Sequence, residues 1–189
     1  ICDEVQTGFG RTGDHWCGIE HWGVEPDIMT LAKAIANGVP LGATIATTEV
    51  ADAFTGSSIS TFGGNPVSMV AAEASLDVME RENTPKRSAE RGQQLRQHLE
   101  AFQDQYPFIG DVRGMGLMQA LELVEDRNTK EPSPGKTLQL LEATKRQGLL
   151  VGKGGLYGNV IRLAPSMLIT EAEIEDGCRQ LEKALAEVR

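Results

Sequence analysis

"ICDEVQTGFGRTG" (residues 1–13) admits two readings, and they lead to different folds. Gly8, Gly10 and Gly13 stand in G-x-G-x-x-G spacing behind an apolar start that reads as a strand. In a dinucleotide-binding βαβ unit such glycines open a helix, and an acid about 20 residues further on holds the ribose. Neither condition is met. "DHWCGIEHWG" (14–23) follows with more glycines and no helical run, and the place of the acid is taken by Lys33. The strand also ends in two charges, Asp3 and Glu4, which suits a buried Rossmann first strand poorly. The stretch therefore reads as a strand over residues 1–5 that leaves through a glycine turn. Its chemistry lies in its acids, because a carboxylate at the end of a buried strand is costly unless it meets a partner that needs its charge.

Outward from that strand, residues 6–26 read as loop. "DIMTLAKAIANG" (27–38) carries a short apolar run, Ile28–Leu31, and then a lysine in a small-residue turn. "GATIATT" (42–48) is a second β-like run, and "GSSISTFGGN" (56–65) is a loop. Asn65 as N-cap and Pro66 at the first helical position predict a helix running to Glu82. Its apolar face is expected to be Val67, Val70, Ala71, Ala74, Leu76 and Val78. A second helix is predicted from Thr84-Pro85 to Gln105, with Leu95, Leu99 and Phe102 on one face. "IGDVRGMGLMQALELV" (109–124) reads as two strands with a glycine bend, and 125–136 as a solvated loop. A helix over 137–147 and a strand pair over 148–152 and 159–165 follow. Thr170 and Glu173 form a capping box for the last helix, which buries Ile174, Cys178, Leu181 and Leu185. The order predicts an α/β fold: an α/β segment (1–82), a connecting helix (83–105) and a smaller α+β domain (106–189).

The 189 residues carry a net charge of −9, which argues against nucleic-acid and anionic-membrane partners. No apolar run approaches a membrane span, and no signal-peptide pattern is present. Three cysteines without a C-x-x-C point away from a disulfide framework and toward a reducing, cytoplasmic compartment. The chain opens at Ile1 directly in what reads as a central strand, from which a longer protein lacking its N-terminal part is expected.

Several motifs fail on context. "SPGKT" (133–137) resembles the end of a phosphate-binding P-loop, but the first glycine of that motif would fall on Lys130. "GKGGLYG" (152–158) sits between two expected strands and reads as a hairpin. His15, His21 and His98 lack metal-ligand spacing, so no metal is expected. Ser57, Ser58 and Ser60 lack a nucleophile elbow.

One set does fit together. Lys33 alone reads as a solvated surface lysine. "STFGGNP" (60–66) places two hydroxyls and two glycines at a helix N-terminus, which is an anion cradle by geometry. With Asp3 these supply what pyridoxal phosphate requires: an amine for a Schiff base, a carboxylate for the protonated ring nitrogen and a cradle for phosphate. A lysine near that cation has a depressed pKa and is a competent nucleophile.

"DEVQTGFGRTG", "PDIMTLAKAIANGVPLGA", "STFGGNP", "RGMGLM" and "IRLAPSMLIT" resemble, in order and spacing, the class III (ornithine/4-aminobutyrate-type) aminotransferases of PLP fold type I. The resemblance covers essentially the whole chain. "GLLVGKGG" and "IRLAPSMLIT" look most like the branch of alanine–glyoxylate aminotransferase 2. It implies that Lys33 binds the cofactor and moves the substrate proton, and that Asp3 pairs with the ring nitrogen. It further implies Gln6 near the ring hydroxyl, Thr61 on the cofactor phosphate of a neighbouring subunit, and Arg162 on a substrate carboxylate. The implied protein is a homodimer with shared active sites. The implied reaction is ping-pong transfer of an amino group from alanine, β-alanine or an ω-amino acid to a 2-oxo acid such as glyoxylate or pyruvate. A 4-aminobutyrate- or ornithine-type enzyme using 2-oxoglutarate, and a non-transaminating relative, stay open. Members run to over twice this length, so the chain matches their C-terminal half and is expected to lack much of the substrate pocket.

Overall fold

The computed structural model describes residues 1–188, which fall into two compact units, residues 1–87 and 88–188. The first is built on a three-stranded sheet of β1 (Cys2–Asp3), β2 (Ile28–Leu31) and β3 (Ala43–Ala46), in that order. β1 runs parallel to β2, with Cys2 opposite Met29 and Asp3 opposite Thr30. β3 runs antiparallel to β2, with Leu31 opposite Ala43.

The strand expected over residues 1–5 is two residues long, extended by one further bond from the Glu4 N–H to the Thr30 carbonyl (3.0 Å). It stops because the chain then turns: the Gly8 N–H donates to the Glu4 carbonyl at 3.0 Å. The loop to residue 26 holds a 3₁₀ turn, Gly18–Trp22. A second one, Lys33–Ala36, follows β2 directly. A short helix α1 (Thr48–Asp52), which the sequence did not announce, follows β3.

Helix α2 (Pro66–Arg81) begins as its punctuation predicts, with the Asn65 side chain accepting the Ser68 N–H at 3.0 Å. Its buried face differs from the expected one. Ser68, Ala72 and Met79 are buried, whereas Val67 is 74% exposed and Val70 and Leu76 also face out. α2 packs on the 3₁₀ turn of Lys33–Ala36, an approach that the small Ser68 and Ala72 suit, and Ser68 Oγ donates to the Pro40 carbonyl at 3.0 Å. Helix α3 (Thr84–Gln105) begins in this unit. The G-x-G-x-x-G loop docks on that beginning: Gly10 has φ +83°, and a Cβ on it would lie 2.7 Å from the Pro85 nitrogen. The motif glycine serves close backbone approach, not a pyrophosphate.

The second unit holds the rest of α3 and an antiparallel sheet in the order β4-β5-β7-β6. Its strands are β4 (Ile109–Met115), β5 (Met118–Leu123), β6 (Gly152–Gly154) and β7 (Val160–Leu163). Helices α4 (Pro134–Arg146) and α5 (Glu171–Leu185) complete it. α4 starts three residues before its expected position, because Pro134 takes the first turn, where its missing N–H costs nothing. The strand expected over 148–152 shifts to Gly152–Gly154. Residues 148 and 149 instead close α4, the Leu149 N–H donating to the Thr144 carbonyl (2.9 Å) and the Gly148 N–H to that of Lys145 (3.1 Å). The capping box of α5 forms as read, Glu173 N–H to Thr170 Oγ1 and Thr170 N–H to Glu173 Oε2.

The core joins Leu95, Leu99 and Phe102 of α3 to Leu121 and Leu123 of β5, Ile161 of β7, Leu140 of α4, and Ile174 and Leu181 of α5. Leu99 is fully buried and Leu138 is exposed. Leu99→Ala is expected to cost about 2–5 kcal/mol by transfer loss and cavity formation. Leu138→Ala is expected to stay within about 0.5 kcal/mol. Chemical denaturation midpoints of the two variants check the contrast.

Candidate active site

Asp3, Gln6, Lys33 and Thr61 all lie in the first unit. Asp3 ends β1, and Lys33 stands two residues past the end of β2. The strands are parallel and Asp3 is in register with Thr30, so both residues leave the same, carboxyl end of a strand pair. That end is where open α/β sheets hold ligands. Lys33 is exposed, and its φ is +52°, a left-handed conformation rare for a residue with a side chain. It opens the 3₁₀ turn behind an extended Ala32 (φ −165°). The strain is a local cost of order 1–3 kcal/mol, tolerated only where the surroundings over-determine it.

Those surroundings are visible. β2 is paired on both edges. Behind the lysine, Ala36 is buried and α2 packs on the turn, with Ser68 holding Pro40. Thr61 lies in the loop that precedes the α2 N-terminus. Thr61 is exposed, in a turn closed by Gly63 N–H to the Ser60 carbonyl (3.1 Å) and Asn65 N–H to that of Phe62 (3.3 Å).

Asp3 is exposed, and its Oδ1 accepts the Val5 N–H at 3.0 Å. Gln6 is exposed in the turn that follows. Beside them lies the residue to which the sequence reading gave no role. Glu4 is 1% exposed. Its carboxylate accepts Thr7 Oγ1 (2.5 Å), the N–H groups of Gly18 (2.9 Å) and Ile19 (2.7 Å), and the Cys2 thiol (3.3 Å). Burial alone pushes its pKa up, but these four donors together outweigh it and hold the group below the usual 4.5. The signal in the sequence was the acid itself, since a charge beyond a buried strand must find donors.

Arg162 lies in the second unit, on β7 opposite Ala120 of β5 and Gly152 of β6. It is half-buried and, with Glu173, lines an otherwise apolar cavity of about 350 Å³ between β6, β7 and α5. A Cβ on Gly154 would lie 2.8 Å from Arg162 Cδ, so the arginine stem lies across a glycine edge.

Burial, then Glu4 and Glu20, push the Cys17 thiol up to about 11, and burial with Glu175 pushes the Cys178 thiol to about 12. His15 and His21 stack edge-on at 4.7 Å, and His21 meets Thr12 Oγ1 at 3.1 Å, a packing role. Among the described residues no group of three His, Cys, Asp or Glu side chains is placed to hold a metal. Nor is any helix long and apolar enough to cross a membrane.

The family model of class-III aminotransferases matches residues 1–185, and the chain belongs to that family. It is 46% identical over 176 residues to alanine–glyoxylate aminotransferase 2 homolog 2, mitochondrial, of Arabidopsis thaliana. That match covers 93% of this chain and 37% of the plant protein. It is 39% identical over 188 residues to the leucine/methionine racemase of Thermococcus litoralis, covering 98% of this chain and 42% of the racemase. An amine transaminase from an uncultivated Pseudomonas species, solved in its PLP-bound form, superimposes with a TM-score of 0.90 at 38% identity, over 98% of this chain and 44% of that one. The chain thus spans well under half the length of these relatives. Its α/β architecture with mixed sheets is that of PLP fold type I.

A carboxylate whose folded pKa is lowered stabilises the fold above its unfolded value and loses that contribution as pH falls through the folded value. The Glu4 contribution is therefore expected to be complete above pH 4.5 and to disappear below it. Acid unfolding followed by circular dichroism should show a stability slope below pH 4.5 that Glu4→Gln flattens. An unchanged slope in that variant would count against the charge-dependent role of Glu4.

Proposed function

We propose that this chain is part of a pyridoxal-phosphate-dependent transaminase, with Lys33 as its catalytic residue and Asp3, Gln6 and Thr61 as cofactor contacts. The observation that carries the reading is the strained Lys33 beyond β2, at the same carboxyl end of the strand pair as Asp3 of the parallel β1. The residues fit the cofactor by their chemistry and placement: an exposed amine and an exposed carboxylate at one sheet end, and a hydroxyl loop ahead of a sixteen-residue helix with no acid in its first turn. Residues 1–82 would then belong to the cofactor-binding domain, 83–105 to a connecting helix and 106–189 to a smaller domain.

Pyridoxal phosphate supplies an aldehyde that condenses with amines and a protonated ring that accepts electrons from the substrate α-carbon. Lys33 Nζ would hold the cofactor and carry the substrate proton. Asp3 would pair with the ring nitrogen as a charged acceptor. Gln6 would face the ring hydroxyl, and Thr61 would hold the phosphate. Arg162 would bind the substrate carboxylate, its planar fork suited to a bidentate partner.

Thr61 would serve the neighbouring copy in a homodimer. In support, Ile59, Phe62, Val67 and Val70 expose an apolar surface around it. The substrates proposed are alanine, β-alanine or an ω-amino acid with glyoxylate or pyruvate, in line with the name of the plant relative. The free state of Cys2, Cys17 and Cys178 suits a reducing compartment, and we place the protein in the cytoplasm.

In the complete protein, borohydride should fix the cofactor to the peptide containing Lys33, as read by mass spectrometry, and Lys33→Ala should give no adduct. Asp3→Asn is expected to lower kcat about 100- to 1,000-fold through lost electrostatic stabilisation. An adduct on another lysine overturns the assignment. The racemase relative favours a second reading. Interconversion of amino-acid enantiomers without an oxo-acid acceptor would establish it, whereas amino transfer to glyoxylate or pyruvate establishes the first. Transfer to 2-oxoglutarate alone selects the 4-aminobutyrate-type alternative.

A further inference from the structure

Glu4 has no part in the roles given to Asp3, Gln6, Lys33, Thr61 and Arg162, yet it is a charge with 1% exposure. Its place in the chain explains why. Successive side chains of a strand point to opposite faces. Cys2 and Glu4 meet on one face through the thiol–carboxylate contact, so Asp3 between them is directed to the other.

Glu4 also brackets the turn that carries Gln6. Its N–H donates to Thr30 and its carbonyl accepts from Gly8, both at 3.0 Å. Its side chain takes Thr7 inside that turn and Gly18 and Ile19 from the loop beyond. The Asp3 carboxylate accepts Val5 N–H within the same turn. The fit around the buried group is close: a Cβ on Gly18 would stand 2.8 Å from Thr7 Cβ and 3.3 Å from Glu4 Oε2.

We propose that Glu4 is a positioning residue for the cofactor ring, fixing the directions of Asp3 and Gln6 by tying the end of β1, the 4–8 turn and the Gly18–Ile19 backbone into one unit. The proposal rests on the reading of Asp3 and Gln6 as ring contacts. Four donors converge on two oxygens, so an acceptor-only group is required. An amide at position 4 would set an NH₂ against one of them, leaving a buried donor unpaired.

Glu4→Gln and Thr7→Val in the complete protein test it, by pyridoxal phosphate titration and the visible spectrum of the bound cofactor, below the melting temperature of each variant. Glu4→Gln is expected to weaken cofactor binding by about tenfold or more, the size usual when a group that orients a ligand contact is lost, and to shift the visible band. Thr7→Val removes one donor and keeps the shape, and it should move both readouts the same way by less. A folded Glu4→Gln variant with wild-type affinity and spectrum overturns the proposal and leaves Asp3 and Gln6 in their roles. If Glu4→Gln does not fold, the same criterion applied to Thr7→Val decides. A wild-type protein that binds no pyridoxal phosphate overturns the functional reading, and this proposal with it.

Discussion

Two register pairs, Cys2 with Met29 and Asp3 with Thr30, hold β1 parallel to β2, and the rest of the first unit depends on them. An antiparallel pairing would send the two strand ends apart. The parallel one delivers an acid and a lysine, thirty positions apart in sequence, to the same edge of one sheet. A pairing of two residues is too short to be stable alone. It persists because β2 is paired on its other side by β3 and because Glu4 binds the chain beyond β1 to the loop above it.

The adjacent acids Asp3 and Glu4 show how one strand end serves two purposes. Alternation sends one carboxylate under the loop, where four donors satisfy it, and leaves the other exposed with a single backbone donor. A buried carboxylate without donors would take up a proton or unfold its surroundings. With them it becomes a fixed point. Arg162 follows a related rule in the second unit, where its stem lies across the glycines of β6 and the residue lines a cavity with Glu173. In both cases a neighbouring residue limits where the charged group can point.

Much of this was legible in the sequence because it rests on local rules. Asn65-Pro66 and the Thr170/Glu173 box start helices by hydrogen bonds that span three residues, and both form. Leu95, Leu99 and Phe102 share a face by helical spacing, and they are buried. What was not legible depends on contacts far along the chain. The buried face of α2 is Ser68, Ala72 and Met79, with small residues in its first half where a 3₁₀ turn thirty residues earlier packs on the helix, whereas apolar spacing pointed to Val67 and Val70. The role of Gly10 was half legible: the failed context excluded a dinucleotide loop, but only the approach of Pro85 explains the glycine. The left-handed backbone of Lys33 has no signature in residue type, since lysine is not a residue that favours it.

That conformation ties the lysine to the fold. A strained backbone relaxes wherever the chain is free to do so, and Lys33 follows a four-residue strand that could end in several ways. It is kept strained from both sides. Ahead of it, β2 pairs with β1 up to Thr30 and with β3 up to Leu31. Behind it, Ala36 is buried, Pro40 is held by Ser68, and α2 covers the turn. The constraint on the lysine backbone is therefore shared with the helix that begins just after the Thr61 loop. A change that loosens α2 from the 33–36 turn therefore frees the Lys33 backbone to relax, even though Lys33 itself is not altered.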